Sequence, residues 1–286
     1  AQEVAGVNDT TSLVFIFLQF AFGVSAGFCV ATSCQVGARN QAGVRRSLAT
    51  QIILSAVLTV LLTALALALL NPMLAWINVT PDNAEVYRAA YTYCFIIFAG
   101  TGAQLFYNFI CAFLRSMGDS LTPLLFLLFS SVLNVGLDAA FMGPLGLGVR
   151  GAAIATVLAQ GISAVLGVVY ILRGYPELRF TPRQLGAATR RAVTSMFWAG
   201  LSMGLMSAIY NLGSVALQSS INALGSVYIT AQTAARRLAE LYFIPGGALG
   251  IGVATFSSQN LGAGRRSRIW QSVKAALAIY LVWWVF

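Results

Sequence analysis

The sequence contains no histidine and very little charge. Only 9% of its 286 residues are charged, whereas soluble domains carry about 25%. Without histidine, the chain has neither histidine acid–base catalysis nor a histidine metal site. Its four cysteines show no metal-ligand or disulfide-scaffold spacing. We see no nucleophile–base pair, and no lysine follows a glycine-rich loop at nucleotide-binding spacing. We therefore predict that the chain is not an enzyme, does not use ATP directly and has no organic cofactor.

Long apolar runs make up most of the chain instead. Hydrophobic residues account for 58% of it, and the mean hydropathy is +0.80. Eight segments are each close to the length needed to cross about 30 Å of hydrocarbon. They cover residues 12–35, 48–70, 87–113, 121–142, 150–172, 192–217, 227–259 and 268–286. We predict an all-α integral membrane protein, a polytopic helical bundle in a lipid bilayer.

The basic residues predict how the chain is oriented. The net charge is +9, but the bases stand at the ends of apolar runs and form no cluster suited to nucleic acid. Thirteen of the 17 basic residues follow the first, third, fifth and seventh segments, all on one side of the membrane. The positive-inside rule therefore places residue 1 outside and the 36–47 loop in the cytoplasm.

A loose internal repeat divides the chain. Residues 33–39 are similar to residues 258–264, and Ser47 and Ser272 keep the same offset of 225 residues. Both copies lie on the predicted cytoplasmic side, so the repeats are parallel, an arrangement found in secondary transporters. Chance similarity between two small-residue helix ends is the alternative. We predict an N-lobe over 1–185 and the start of a C-lobe over 186–286.

The offset also predicts what lies beyond the two ends. Residues 192–222 have no counterpart in the first repeat, and the chain stops inside its eighth apolar run. We expect one helix before residue 1 and about three more after Phe286. The result would be two pseudo-symmetric lobes of six helices each.

One acidic residue stands inside an apolar run. Asp138 follows Asn134 by four residues within the 121–142 segment, so both side chains share one helix face. An ionised carboxylate at the bilayer centre costs roughly 2.5–3.5 kcal/mol on insertion scales and normally faces a partner or a water-filled cavity. Asp138 is therefore a candidate functional residue. The alternative is an acid near the helix end that reaches the headgroup region.

Six short stretches stand in order along the chain: Gly37–Asn40 with Arg45–Arg46, Leu114–Pro123, Leu133–Asp138, Gly148–Thr156, Ile221–Ser226 and Ala254–Arg265. Together they resemble one transporter family, the multidrug and toxic compound extrusion (MATE) transporters of the MOP flippase superfamily. The resemblance covers residues 5–286 and implies helices two to nine of a twelve-helix transporter.

The resemblance implies a cation-coupling site at Asn134, Asp138 and Thr156. A further Asp on the family's first helix is absent from this sequence, and the segment 192–217 has no acid, which favours coupling through the N-lobe. Carboxylate, amide and hydroxyl oxygens suit Na⁺, and a buried carboxylate alone suits a proton. The sequence leaves the choice between Na⁺ and H⁺ open. Thr156 also belongs to a stripe of small residues, which is its structural alternative.

Two further polar pairs are candidates for a substrate cavity. Gln104 and Asn108 are one turn apart in the third segment, with interhelical hydrogen bonding as the alternative. Arg237 and Glu240 can pair at i,i+3 in the seventh segment, ahead of Pro245. The alternative for this second pair is a position near the outer membrane face.

These observations and the resemblance predict a secondary active transporter. It would export amphipathic and cationic drugs or toxic compounds by cation-coupled antiport and alternating access, as a monomer in the bacterial inner membrane. One alternative is a lipid-linked precursor flippase of the same superfamily, although few basic residues are placed to enter a cavity. The other alternative is a structural membrane fragment that transports nothing.

Overall fold

The computed structural model describes residues 2–76, 79, 84–176, 190–222 and 226–285, and within these ranges the chain is helical and has no β-strands. The predicted all-α fold class is confirmed. The helices are α1 (Gln2–Gly37), α2 (Gln41–Ala68), α3 (Leu70–Trp76), α4 (Ala84–Ala99), α5 (Thr101–Ser116), α6 (Leu121–Met142), α7 (Gly148–Gly174), α8 (Arg190–Asn222), α9 (Ser226–Gly262) and α10 (Arg266–Val285). The predicted lobe boundary near residue 185 lies outside the described residues.

Most of the predicted segments are membrane-spanning helices. Six spans are long and apolar enough within the described chain, and α4 with α5 supplies a seventh if the pair is counted as one span. The six lie in α1 (from Val14), α2, α6, α7, α8 and α9. The eighth predicted segment is helical as α10, but Arg268, Gln271 and Lys274 make its first half more polar than the six spans.

The third predicted segment, 87–113, is two helices rather than one. α4 and α5 meet at an angle of 46° on either side of Gly100. A Cβ at Gly100 would lie 2.7 Å from Val157 Cγ1 of α7, and closer still to the other Val157 methyl. Glycine therefore lets α7 approach the bend closely, at a point where average hydropathy gives no sign of a break.

Helix α1 is central to the bundle and contacts α2, α4, α5, α8 and α9. Its crossing with α8 depends on small residues: a Cβ at Gly23 would lie 2.7 Å from the Met203 carbonyl oxygen. On the other side of α1, buried residues of α5 such as Phe109 and Phe113 pack with residues of α2 and α7. Backbones that approach this closely gain van der Waals contact, which is a main source of helix association in lipid.

The two repeats end their long helices with the same backbone motif. The N–H groups of residues 38, 39 and 40 donate to the carbonyls of residues 34, 36 and 35, and those of residues 263, 264 and 265 donate to the carbonyls of residues 259, 261 and 260. Arg39 (φ 53°) and Gly264 (φ 71°) occupy the left-handed position at which such helix ends commonly close. Helices α2 and α10 then begin at Gln41 and Arg266. Every step keeps the predicted offset of 225 residues.

Candidate cation site and inter-repeat cavity

Two of the three predicted cation ligands meet between α6 and α7. Asn134 Nδ2 lies 3.4 Å from Thr156 Oγ1, to which it donates a long hydrogen bond. The Thr156 hydroxyl donates to the carbonyl of Ala152, one turn earlier, at 3.0 Å. This bond fixes the Thr156 rotamer so that its oxygen faces α6. An amide and a hydroxyl from neighbouring helices thus come together at the level of Asn134.

Asp138 lies on the same face of α6, one turn beyond Asn134. Its side chain is half-buried, and its Oδ1 atom is inaccessible to solvent with no hydrogen-bond partner among the described residues. A buried carboxylate oxygen normally has a partner, so one without a protein donor calls for a proton, a cation or water. Asp138, Asn134 and Thr156 together form the candidate cation site, and their role as ligands stays a prediction.

Tyr93 of α4 is a neighbour of this site that the sequence analysis missed. The Asp138 carboxylate lies within electrostatic range of the Tyr93 hydroxyl. Tyrosines in membrane helices are usually interpreted as interfacial anchors, so the sequence offered no reason to choose this one. Within the part of the chain that the structure describes, no cluster of three or more Cys, Asp or Glu side chains could hold a metal ion.

A cavity of about 330 Å³ separates the two repeats. It is bounded by α1 and α5 on one side and by α8 and α9 on the other. Its lining is mostly apolar or small, and its polar members are Ser33, Arg115, Ser207 and Thr255. The cavity reaches from the middle of α8, near Met203 and Met206, to the last turns of α1, α5 and α9.

Arg115 is the second residue missed by the sequence analysis. It counts among the basic residues that follow a membrane segment, but it lies in the last turn of α5, is only partly exposed and lines the cavity. Asn108, Ala112 and Arg115 follow one another at helical spacing, so they share a face of α5. That spacing is the signal that could have identified Arg115.

The four residues predicted to line a substrate cavity are not among the lining residues of this one. Gln104 and Asn108 lie on α5, two and one turns before Ala112, on the face that leads into the cavity. Arg237 Nη1 is 3.7 Å from Glu240 Oε2, so the predicted pair forms, but it is well exposed. Arg237 and Glu240 lie on α9, about three and two turns before the first lining residue of that helix, Gly247. Their predicted role stays a prediction.

Below the cavity the two repeats touch through matched glycines. We call this contact the seam: Cys34–Gly37 at the end of α1 against Gln259–Gly262 at the end of α9. A Cβ on Gly37 would collide with the backbone of Gln259, and a Cβ on Gly262 would collide with the backbone of Cys34. Gln259 Nε2 also donates to the Ser116 carbonyl of α5 at 2.9 Å. The seam therefore closes the cavity on the predicted cytoplasmic side.

Comparison with known families shows which family has these elements. The chain matches the MatE family over residues 1–140 and 202–286, which is well over half of its length. The chain belongs to the MatE family. The predicted resemblance is thus confirmed. The spans and the bacterial relatives of this MatE chain also support a multi-pass protein of the bacterial inner membrane.

Curated relatives of the MatE chain include "Probable multidrug resistance protein YpnP" of Bacillus subtilis, 28% identical over 269 residues. The match covers 94% of this chain and 59% of that protein. The "FAD transporter" of Shewanella oneidensis is 24% identical, and the match covers 98% of this chain and 62% of the relative. The MatE chain therefore spans about 60% of the length of such relatives.

Solved structures share the fold. A MOP superfamily transporter from Pyrococcus furiosus superposes with a TM-score of 0.86 at 23% identity, covering 98% of this MatE chain and 61% of the other. A multidrug resistance MATE family transporter in an outward-facing conformation gives a TM-score of 0.81 at 23% identity, covering 98% and 62%. These likenesses confirm an all-α polytopic helical bundle as the architecture.

Proposed function

We propose that the protein exports amphipathic organic compounds by cation-coupled antiport, with Asp138 as the coupling acid. The observation that carries the proposal is the buried Asp138 carboxylate oxygen, which has no donor among the described residues and lies one turn from the contact between Asn134 and Thr156. Membership of the MatE family and relatives named for multidrug resistance support it.

Loading of Asp138 by a cation would neutralise the carboxylate. In a low-dielectric environment a charged and a neutral carboxylate favour different packing around them, because an unpaired charge is costly to bury. Asp138 lies one turn from Asn134, which bonds Thr156 of α7, and within electrostatic range of Tyr93 on α4. The charge state of one side chain can therefore bias how three helices of the first lobe pack together.

Alternating access would use the cavity and the seam. The cavity lies between the repeats and is closed at the seam, so opening the seam would expose the same cavity to the opposite side. We propose the lobes as residues 1–185 and 186–286. Each would move as a unit, with α1 and α5 on one side of the cavity and α8 and α9 on the other.

The sequence and the geometry fit two coupling ions. Na⁺ needs several oxygen ligands, and Asp138, Asn134 and Thr156 supply a carboxylate, an amide carbonyl and a hydroxyl. A proton needs only the carboxylate. Replacing Thr156 by valine removes an oxygen with little change in volume, so it should weaken Na⁺ coupling strongly and proton coupling only weakly.

Dye efflux from energised vesicles containing the full-length protein tests the proposal. We expect Asp138→Asn to abolish efflux driven by one imposed gradient, Na⁺ or H⁺, because the amide neither ionises nor binds a proton. Glu85→Gln, which alters an exposed acid at the start of α4, is the matched control and should pump normally. An Asp138→Asn protein that is inserted at normal levels and pumps as well as its parent would remove Asp138 from the mechanism.

A further inference from the structure

The cavity between the repeats carries positive charge and no negative charge. Arg115 is the one charged side chain among the lining residues in the described chain. No carboxylate lies within ion-pair distance of Arg115 in those residues; the ion pairs found there join Arg236 and Arg237 to Glu240. A guanidinium in a largely apolar cavity without a counter-charge favours an anion over a cation.

Three of the four polar side chains lie at one end of the cavity. The fourth, Ser207, follows Met206 on α8, and its hydroxyl donates to the Met203 carbonyl. Ser33 and Thr255 lie within the last two turns of α1 and α9, and Arg115 lies in the last turn of α5. All three helix ends are on the seam side. Two hydroxyl donors and a guanidinium are the groups that proteins use to bind carboxylate, phosphate or sulfonate oxygens.

Apart from Ser207, the other end of the cavity is apolar and adaptable. Phe22 comes from α1, and Met203 and Met206 come from α8. Methionine is unbranched and polarisable, so it can pack against ligands of differing shape. The cavity therefore has a polarity gradient along its length, from hydrogen-bond donors beside the seam to an aromatic ring and thioethers farther away.

We infer that the compound bound in this cavity is an anionic amphiphile whose oxyanion group contacts Arg115 and whose apolar part lies against Phe22, Met203 and Met206. The inference rests on the proposed export function for its direction of transport, but the binding preference depends on the cavity alone. It differs from the cationic compounds expected from the sequence. Because a cation would meet an unpaired guanidinium, the same cavity disfavours it.

The described stretches of helix that line the cavity carry one charge, that of Arg115. The described part of α1 that lines the cavity has no charged residue, and the cavity-lining part of α8 has none. Farther along α9, Arg236 and Arg237 face one acid, Glu240, which leaves one positive charge in excess. No acid is therefore present to offset Arg115 in the described stretches of α1, α5, α8 and α9 that line the cavity.

Equilibrium binding of two dyes to the purified full-length protein tests the inference without any ion gradient. Fluorescein is anionic, and a rhodamine ester has the same ring scaffold with a positive charge. We expect fluorescein to bind more tightly, and Arg115→Gln to weaken it about 10- to 100-fold, the loss typical of a hydrogen bond to a charged group. Arg115→Lys should retain part of the binding because the charge remains.

The control is Arg266→Gln, the same change of charge on an exposed residue that does not line the cavity. It should leave both affinities unchanged. Competition with a short-chain phosphatidylglycerol identifies the preferred source of the anion. Displacement of fluorescein by the lipid indicates a lipid headgroup, and retention of fluorescein indicates a soluble amphiphile. Either result supports the inference.

Preferential binding of the rhodamine ester by the parent protein would overturn the inference, and so would a fluorescein affinity that does not change in Arg115→Gln. If Arg115→Gln cannot be purified, the preference of the parent protein and its change in Arg115→Lys still decide the question. If the parent protein binds fluorescein but shows no gradient-driven efflux, the export function is contradicted and the binding preference still stands.

Discussion

Replacing Gly262 by alanine should open the seam. Gly262 is the last residue of α9 and lies directly against the end of α1. An added Cβ would lie 2.8 Å from the Cys34 carbonyl carbon and 3.0 Å from the Ala38 nitrogen, and closer still to the Cys34 oxygen. All of these neighbours are backbone atoms, so no side chain can rotate away to make room.

The required displacement follows from these distances. Ordinary van der Waals contact with a Cβ begins at about 3.4 Å, so the carbonyl carbon alone demands a shift of about 0.6 Å, and the oxygen demands more. Inserting one methyl into a well-packed contact costs about 1–3 kcal/mol. If that cost applies to the closed seam only, the ratio of open to closed forms rises by roughly 5- to 150-fold.

Cys34 is a natural reporter of this change. It belongs to the seam and is partly exposed, whereas Cys29, Cys94 and Cys111 are buried. In the full-length protein with those three replaced by serine, we expect Gly262→Ala to increase the rate at which a membrane-impermeant maleimide labels Cys34 from the cytoplasmic side. The increase should be at least several-fold.

Gly252→Ala is the matched control for this experiment. Gly252 lies on the same helix, and nothing lies within 4 Å of the Cβ it would gain. Its labelling rate should equal that of the parent. Equal rates for Gly262→Ala and Gly252→Ala, with both proteins folded, would show that the seam is not a close contact in the membrane and would refute the reasoning.

Two further predictions concern stability and are measured by thermal unfolding in detergent. Gly100→Ala should destabilise the protein by about 1–3 kcal/mol, because its Cβ would overlap Val157 at the α4–α5 bend. Gly213→Ala, in open space on α8, should cost nothing, and equal melting temperatures for the two variants would contradict this account of the bend. Partial burial acts to raise the pKa of the Asp119 carboxyl, but hydrogen bonds from Thr122 and Tyr170 outweigh it and hold the pKa below its usual value. Asp119 therefore stabilises the fold above its unfolded pKa of about 3.9, and this contribution is lost as pH falls through the lower folded value. Asp119→Asn should be slightly less stable at pH 7 and should lose less stability than the parent below about pH 4; parallel melting curves would exclude the role.

Membrane helices were predictable where hydropathy changes sharply at both ends. The 121–142 segment coincides with α6, because Asp119 and Ser120 precede it and Gly143 and Pro144 follow it. Hydropathy could not separate α4 from α5, since Gly100 breaks the helix without adding polarity. The break depends on packing against α7. Hydropathy averaged along the chain does not show which helix packs against Gly100.

The residues of the candidate sites could likewise be predicted only in part from the sequence. The contact between Asn134 and Thr156 was expected because the family resemblance assigns both residues to one site, and the structure brings them to 3.4 Å. Arg115 was missed because a base at the end of an apolar segment is normally a topology signal. Only the placement of α8 and α9 beside α5 shows that its side chain faces a cavity. Long-range assembly, and not residue type, decides its role.

The seam has the geometry of a homodimer interface inside one chain. Gly37 meets Gln259, and Gly262 meets Cys34; since 34 and 259, like 37 and 262, differ by 225, the two contacts are images of each other. In a two-fold dimer the same patch faces itself in this manner. Each position in one repeat is therefore constrained by its counterpart in the other. Substitutions at 37 and 262 should be strongly non-additive, because once one methyl has parted the helices the second enters space that is already open.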